Sequence, residues 1–188
     1  KQTIVSTRVT KNEDIRNLLN WRTVSTPKKD ILDKFLFCSM EQKVAMLREI
    51  FDAMFEILDH YDQREVSLLI YESIVEIICS LVSHNQFDHY KDVMDEYIRE
   101  YFKSTLAQKW FIYFLVHYLN MMNDLKMANK VRENIKAMTY LFKFIVKSRK
   151  VYLASLKENE QPNDEILELE TPLSYVPKHK QETNVSQS

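Results

Sequence analysis

The chain has 188 residues, 45% of them hydrophobic and 28% charged, with a formal net charge of -1 and no glycine. These values fit one globular domain rather than wholesale disorder, and they leave no global field that would draw the chain to nucleic acid or membrane. Without glycine there can be no Gly-rich phosphate loop, dinucleotide fingerprint, nucleophile elbow or glycine hairpin turn, so helices joined by polar caps are favoured.

In chain order, residues 1–9 are short, mixed and β-branched and read as an extended lead-in. Thr10 with Glu13 forms a capping box ahead of Ile15, Leu18, Leu19 and Trp21 at helical spacing. Thr26 then caps a second helix with Pro27 in its first position, and Ile31, Leu32, Phe35 and Leu36 make its apolar face. Ser39 with Gln42 opens a helix to about Asp59, and Asp62 with Glu65 opens the next. That helix is apolar apart from a narrow stripe of Glu65, Glu72, Glu76 and Ser83, the profile of a central helix covered on most sides. His84-Asn85-Gln86 breaks the pattern. A helix from about Asp88 carries Tyr90, Val93, Met94, Tyr97, Ile98, Tyr101 and Phe102, all read as core. Ser104 caps another, apolar almost all round from Leu106 to Met122.

The last helix, to about Leu156, divides into two faces. Val131, Met138, Leu141, Phe142, Ile145 and Tyr152 form a broad apolar side, and Arg132, Lys136, Lys143, Lys147 and Lys150 form a basic stripe opposite. From Lys157 onward Pro162, Pro172 and Pro177 lie among charged and polar residues without a period, so 157–188 reads as a flexible polar tail. The fold class is all-α: about seven helices, in antiparallel pairs of about 40 residues, forming an irregular armadillo- or HEAT-like repeat over 10–156.

Chemistry is sparse. Asp59, His60 and Asp62 cluster at one helix end, and His84, Asp88 and His89 at another; both groups read as caps and loops rather than metal sites. His117 reads as a core histidine in an apolar helix. Trp110, Phe111, Tyr113 and Phe114 could stack bases, but they lack interleaved basic residues and read as core. Cys38 and Cys79 read as two reduced, buried thiols inside helices of a cytosolic protein. The longest apolar run, Trp110 to Val116, is far short of the ~20 residues a bilayer span requires. No catalytic, cofactor or metal residue is assigned. The basic stripe is the one partner-binding candidate, for an acidic protein or lipid surface held by screened attraction; otherwise it is a solvated outer face.

Several stretches go further. Ser6-Thr7-Arg8-Val9-Thr10, Asp14-Ile15 and Leu18-Leu19-Asn20-Trp21-Arg22 resemble the opening of the helical region of DOCK (dedicator of cytokinesis) proteins. Ile135-Lys136-Ala137-Met138, with Tyr140 through Arg149, is similar to a later segment of the same family. Phe51-Asp52-Ala53-Met54-Phe55, Tyr97-Ile98 and Phe102 through Ala107 fall between them in the family's order.

The resemblance covers about residues 5–152. It implies the start of the armadillo-like region of a cytosolic guanine-nucleotide exchange factor for Rac- or Cdc42-type GTPases. The lipid-binding C2-like region and the exchange region would lie elsewhere, so GTPase contact would come only through a region outside this chain, and membrane recruitment only through the parent. From about Lys157 the sequence departs from the family, and a first residue of Lys1 rather than methionine suggests a fragment or a processed product. The function expected is a non-catalytic scaffold segment in small-GTPase signalling. The alternatives are a free-standing adaptor using the basic face, and a small all-α enzyme using a histidine–carboxylate knot.

Overall fold

The computed structural model describes residues 12–159, with side chains described as far as Lys157. The lead-in, Thr10 and the tail beyond 159 lie outside the described residues. Eight α-helices follow in order: α1 (Glu13–Leu19), α2 (Lys28–Leu36), α3 (Met40–Ala45), α4 (Leu47–His60), α5 (Arg64–Ser83), α6 (His89–Glu96), α7 (Ala107–Asn120) and α8 (Ala128–Asn159). A π-helical turn, Tyr97–Tyr101, continues α6, and 3-10 turns precede α6 and α8. No strand occurs among the described residues, and the all-α helical repeat is the observed class. One more helix appears than the caps predicted, because Met46 leaves helical geometry (φ -124°, ψ 35°) and divides α3 from α4.

The predicted caps show how local signals yield to tertiary ones. Ser39 caps α3, its hydroxyl accepting from Gln42 N at 3.4 Å. At α1 Asn12 takes the cap, its Oδ1 accepting from Asp14 N and Ile15 N. Pro27 stands at the cap of α2, one position earlier than predicted, with Lys28 as the first helical residue. Asp62 does not cap α5; it turns outward to Lys109 and Trp110. The lysine offers it a charged donor, stronger than a backbone N–H, and the indole a second bond beside it.

Helix α5 occupies the centre as its narrow polar stripe predicted, packing against α2, α3, α4, α6, α7 and α8. By length and composition it could cross a membrane, yet 56% of its most apolar window is buried within the protein. Its two interior glutamates are engaged sideways by other elements. Glu72 accepts from the Tyr118 hydroxyl and lies 3.5 Å from Lys130 Nζ. Glu76 pairs at 2.8 Å with Lys43, a lysine with no exposed surface.

Beside α5 an aromatic cluster joins α4, the π turn, α7 and α8. Phe144 lies 5.2 Å from Phe55, 5.1 Å from Phe102 and 6.0 Å from Phe111 between ring centroids. These tilted and edge-to-face contacts are the favourable aromatic geometries. The π turn makes them possible. Its i to i+5 bond, Phe102 N to Tyr97 O at 2.9 Å, inserts an extra residue and swings Phe102 inward. The same insertion moves Tyr101 out to solvent, contrary to its core assignment. Tyr113 is likewise exposed, and with Ile112 and Val116 forms an outer apolar face on α7. Cys79 is only half-buried, His117 is half-buried too, and Cys38 lies in the bend after α2 rather than in a helix.

Candidate interaction face on the last helix

Helix α8 carries three faces where the sequence suggested two. The inner one is built from Val131, Asn134, Ala137, Leu141, Phe144 and Ser148. Two of these are polar and fully committed. Asn134 Oδ1 accepts from the buried Tyr71 hydroxyl of α5, and Asn134 Nδ2 donates to Lys130 O at 2.8 Å. Burial is also the main reason the Tyr71 phenol is pushed far above its ordinary range. Ser148 Oγ accepts from Gln108 N at 3.0 Å and donates to Thr105 O at 3.2 Å. With Ser104 Oγ accepting from Ala107 N and Asp59 from Leu106 N, side chains of three different segments satisfy the start of α7.

The second face is the basic stripe, and the chain itself engages much of it. Lys143 pairs with Asp95 and stands 4.6 Å from the Tyr140 ring centroid. Burial first, then Asp95 and Asp92, raises the Tyr140 hydroxyl above its usual range. Lys147 donates to the carbonyl of Arg99 at 2.6 Å, and Lys136 to Ser83 Oγ at 3.1 Å. Arg132 and Lys150 are exposed and form no ion pair among the described residues. The stripe is therefore not a uniformly free cationic surface.

The third face was missed. Ile135, Phe142, Val146 and Leu153 are all exposed, Phe142 by 51% and Val146 by 53%. At 100° per residue they fall within about 40° of one another, beside the lysines rather than opposite them. Phe142 was assigned to the core face; the structure turns it outward and buries Phe144 completely. The spacing of 7, 4 and 7 was available in the sequence, but a helix with apolar residues over most of the circumference beside its basic stripe does not declare which of two apolar arcs meets the core.

Where this arc meets the π turn there is a shallow groove. Ile98, Phe142 and Val146 provide its apolar lining, and Arg99, Lys143, Lys147 and Lys150 its basic rim, with Asp95 the one acid. No nucleophile stands beside a base among these residues. Apolar floor and cationic rim together suit an amphipathic acidic ligand.

The histidine–carboxylate groups do not converge. His60 Nδ1 bonds Glu56 O at 2.8 Å and packs its ring on Trp21, while Asp59 and Asp62 face α7. His84 bonds Ser80 O, Asp88 pairs with Lys91, and His89 lies against Tyr90. Among the described residues no group of three His, Cys, Asp or Glu side chains could hold a metal ion.

Sequence comparison gives a consistent assignment. The family description "Dedicator of cytokinesis (DOCK) TPR region" matches residues 25–187. Mouse "Dedicator of cytokinesis protein 3" is 35% identical over 173 residues, which are 91% of this chain and 8% of that protein. Human "Dedicator of cytokinesis protein 4" is 34% identical over 159 residues, 84% of this chain and again 8% of the relative. The chain thus spans less than a tenth of the length of these relatives. The family match runs to 187, past Lys157, where the sequence reading placed a departure from the family.

Proposed function

The chain belongs to the DOCK family, and from that membership we propose that it acts as a non-catalytic helical scaffold within a Rac/Rho-type exchange factor, holding other regions of the parent in position. The observation that carries this reading is the match to the family's TPR region over most of the chain. A continuous core supports it: α5 touches six other helices, and α8 packs along α5 and α7. Such quasi-one-dimensional stacks are rigid spacers whose function is geometric. The reading places the protein in the cytoplasm, with GTPase contact and membrane recruitment supplied by the rest of the parent.

The test is a nucleotide-exchange assay on Rac and Cdc42 with this chain alone. No acceleration above the intrinsic rate is expected; acceleration that follows the chain through purification would overturn the scaffold assignment. The free-standing adaptor reading draws less support, because Lys136, Lys143 and Lys147 are each engaged within the chain.

A further inference from the structure

The exposed apolar arc of α8 extends beyond the groove it borders. From Ile135 through Phe142 and Val146 to Leu153 is five full turns at 100° per residue, so the row runs straight along the helix for about 27 Å. Each of the four side chains is at least 41% exposed. Apolar side chains scattered singly on a surface need no explanation, but a continuous row of them marks an interaction face.

Charge lies along one flank of the row. Arg132, Lys136, Lys147 and Lys150 fall about 60–120° to one side of it, whereas the other flank carries Met138, Ile145 and Leu156, with Arg149 its one cation. Ser83 Oγ and Arg99 O hold Lys136 and Lys147, but both are neutral acceptors and cancel no charge. Arg132 and Lys150 form no ion pair among the described residues, and of the whole stripe only Lys143 meets a carboxylate, that of Asp95. We propose that this face of α8 docks an acidic amphipathic helix of a partner protein, about five turns long. Its apolar side lies on Ile135, Phe142, Val146 and Leu153. Its carboxylates run along one edge, toward Arg132 and Lys136 at one end and Lys147 and Lys150 at the other.

Backbone chemistry selects a helix. No strand occurs among the described residues, so this surface offers no sheet edge to an extended peptide, whose N–H and C=O groups would lie unpaired on an apolar floor. A helix brings its backbone bonds with it. Charge selects an acidic one. An antiparallel second copy would match the symmetric spacing, Ile135 on Leu153 and Phe142 on Val146, but the two-fold axis would set the two cationic flanks side by side. A bilayer meets both flanks of the row equally, whereas these cations occupy one, which suits a partner with a single acidic edge. The inference stands apart from the scaffold reading, because exchange activity has no bearing on what α8 binds.

The probe is a synthetic helical peptide of about 18 residues, with leucines at the spacing of the α8 row and glutamates along one flank, beside a twin carrying lysines in place of the glutamates. Fluorescence anisotropy with the full chain should show the glutamate peptide binding about tenfold more tightly than its twin. Phe142→Asn with Val146→Asn should weaken that binding about tenfold at an unchanged urea midpoint, since both side chains are half-exposed. Lys147→Glu with Lys150→Glu should reverse the preference toward the lysine twin, a gain that misfolding cannot produce. Equal affinity for the two peptides, or no binding of the glutamate peptide at about 100 μM, would overturn the proposal. So would binding to phosphatidylserine vesicles that the glutamate peptide does not displace, which assigns the face to a membrane. Dimerisation abolished by Phe142→Asn with Val146→Asn would assign it to a second copy and overturn the proposal equally.

Discussion

The Ser148 hydroxyl of α8 accepts a hydrogen bond from the backbone N–H of Gln108, 40 residues earlier, at 3.0 Å. One helix thereby caps the start of another. The same hydroxyl donates to Thr105 O at 3.2 Å, a carbonyl that otherwise receives only a long bond from Gln108 Nε2 at 3.5 Å, so one fully buried oxygen serves two backbone groups.

Ser148→Ala strips the Gln108 N–H of its partner and leaves Thr105 O only the long bond from Gln108 Nε2, in a water-poor site, and should cost about 1–3 kcal/mol. Ser155→Ala, which removes only a local bond to Tyr152 O, should stay within about 0.5 kcal/mol. Urea midpoints at unchanged m-value measure both. Equal effects would mean that the cap on α7 contributes nothing.

The register of α8 makes a second prediction. Phe144 is fully buried against four other phenylalanines, whereas Ile135 is 51% exposed. Phe144→Ala should destabilise by about 3–5 kcal/mol through lost burial and an unfilled cavity. Ile135→Ala should shift the midpoint by about 0.5 kcal/mol or less. A reversed order would require α8 to turn its other apolar arc inward.

Lys43 and Glu76 predict an asymmetric pair of variants. Lys43 has no exposed surface and donates to Glu76 at 2.8 Å and to Leu36 O at 3.0 Å. Glu76→Ala strands a buried ammonium and should cost about 3–5 kcal/mol. Lys43→Met keeps the packing against Phe35 and releases a half-exposed carboxylate to water, so it should cost less than half as much. Thermal or urea unfolding of the two variants decides the order.

Asp62 gives a pH prediction. Its hydrogen bonds from Lys109, helped by the one from Trp110 and by the lysine's charge, outweigh the opposing effect of burial and hold its carboxyl below the ordinary value of 3.8 in the folded state. The unfolded chain therefore binds the proton at a pH where the folded chain does not. The stabilisation is complete above the ordinary value and is lost as pH falls below it, through the depressed value. Wild type should exceed Asp62→Asn by a constant margin above about pH 5, and the margin should shrink below about pH 4. A margin independent of pH would show that the aspartate acts without its charge.

Much of this protein was legible before any tertiary structure. Absence of glycine, the periodic apolar positions and the Ser39 cap foretold a helical stack, and the near-continuous apolar surface of α5 foretold its central place. These signals are local: periodicity and capping depend on residues within one or two turns. The short motifs around Trp21 and Tyr140–Arg149 likewise pointed to the family that the comparisons establish.

What the sequence left undecided depends on contacts between distant segments. Whether Phe142 or Phe144 faces inward is set by the π turn, which rotates Phe102 into the space where only one α8 arc can close the aromatic cluster. Whether Asp62 caps a helix or binds Lys109 depends on a lysine 47 residues away. The lysine stripe was visible as a pattern, but only packing against α6 and the π turn decided that Lys143 and Lys147 are engaged, while Lys150 forms no ion pair among the described residues. Helical period places residues on faces; the free energy of burying one face rather than another belongs to the assembled stack.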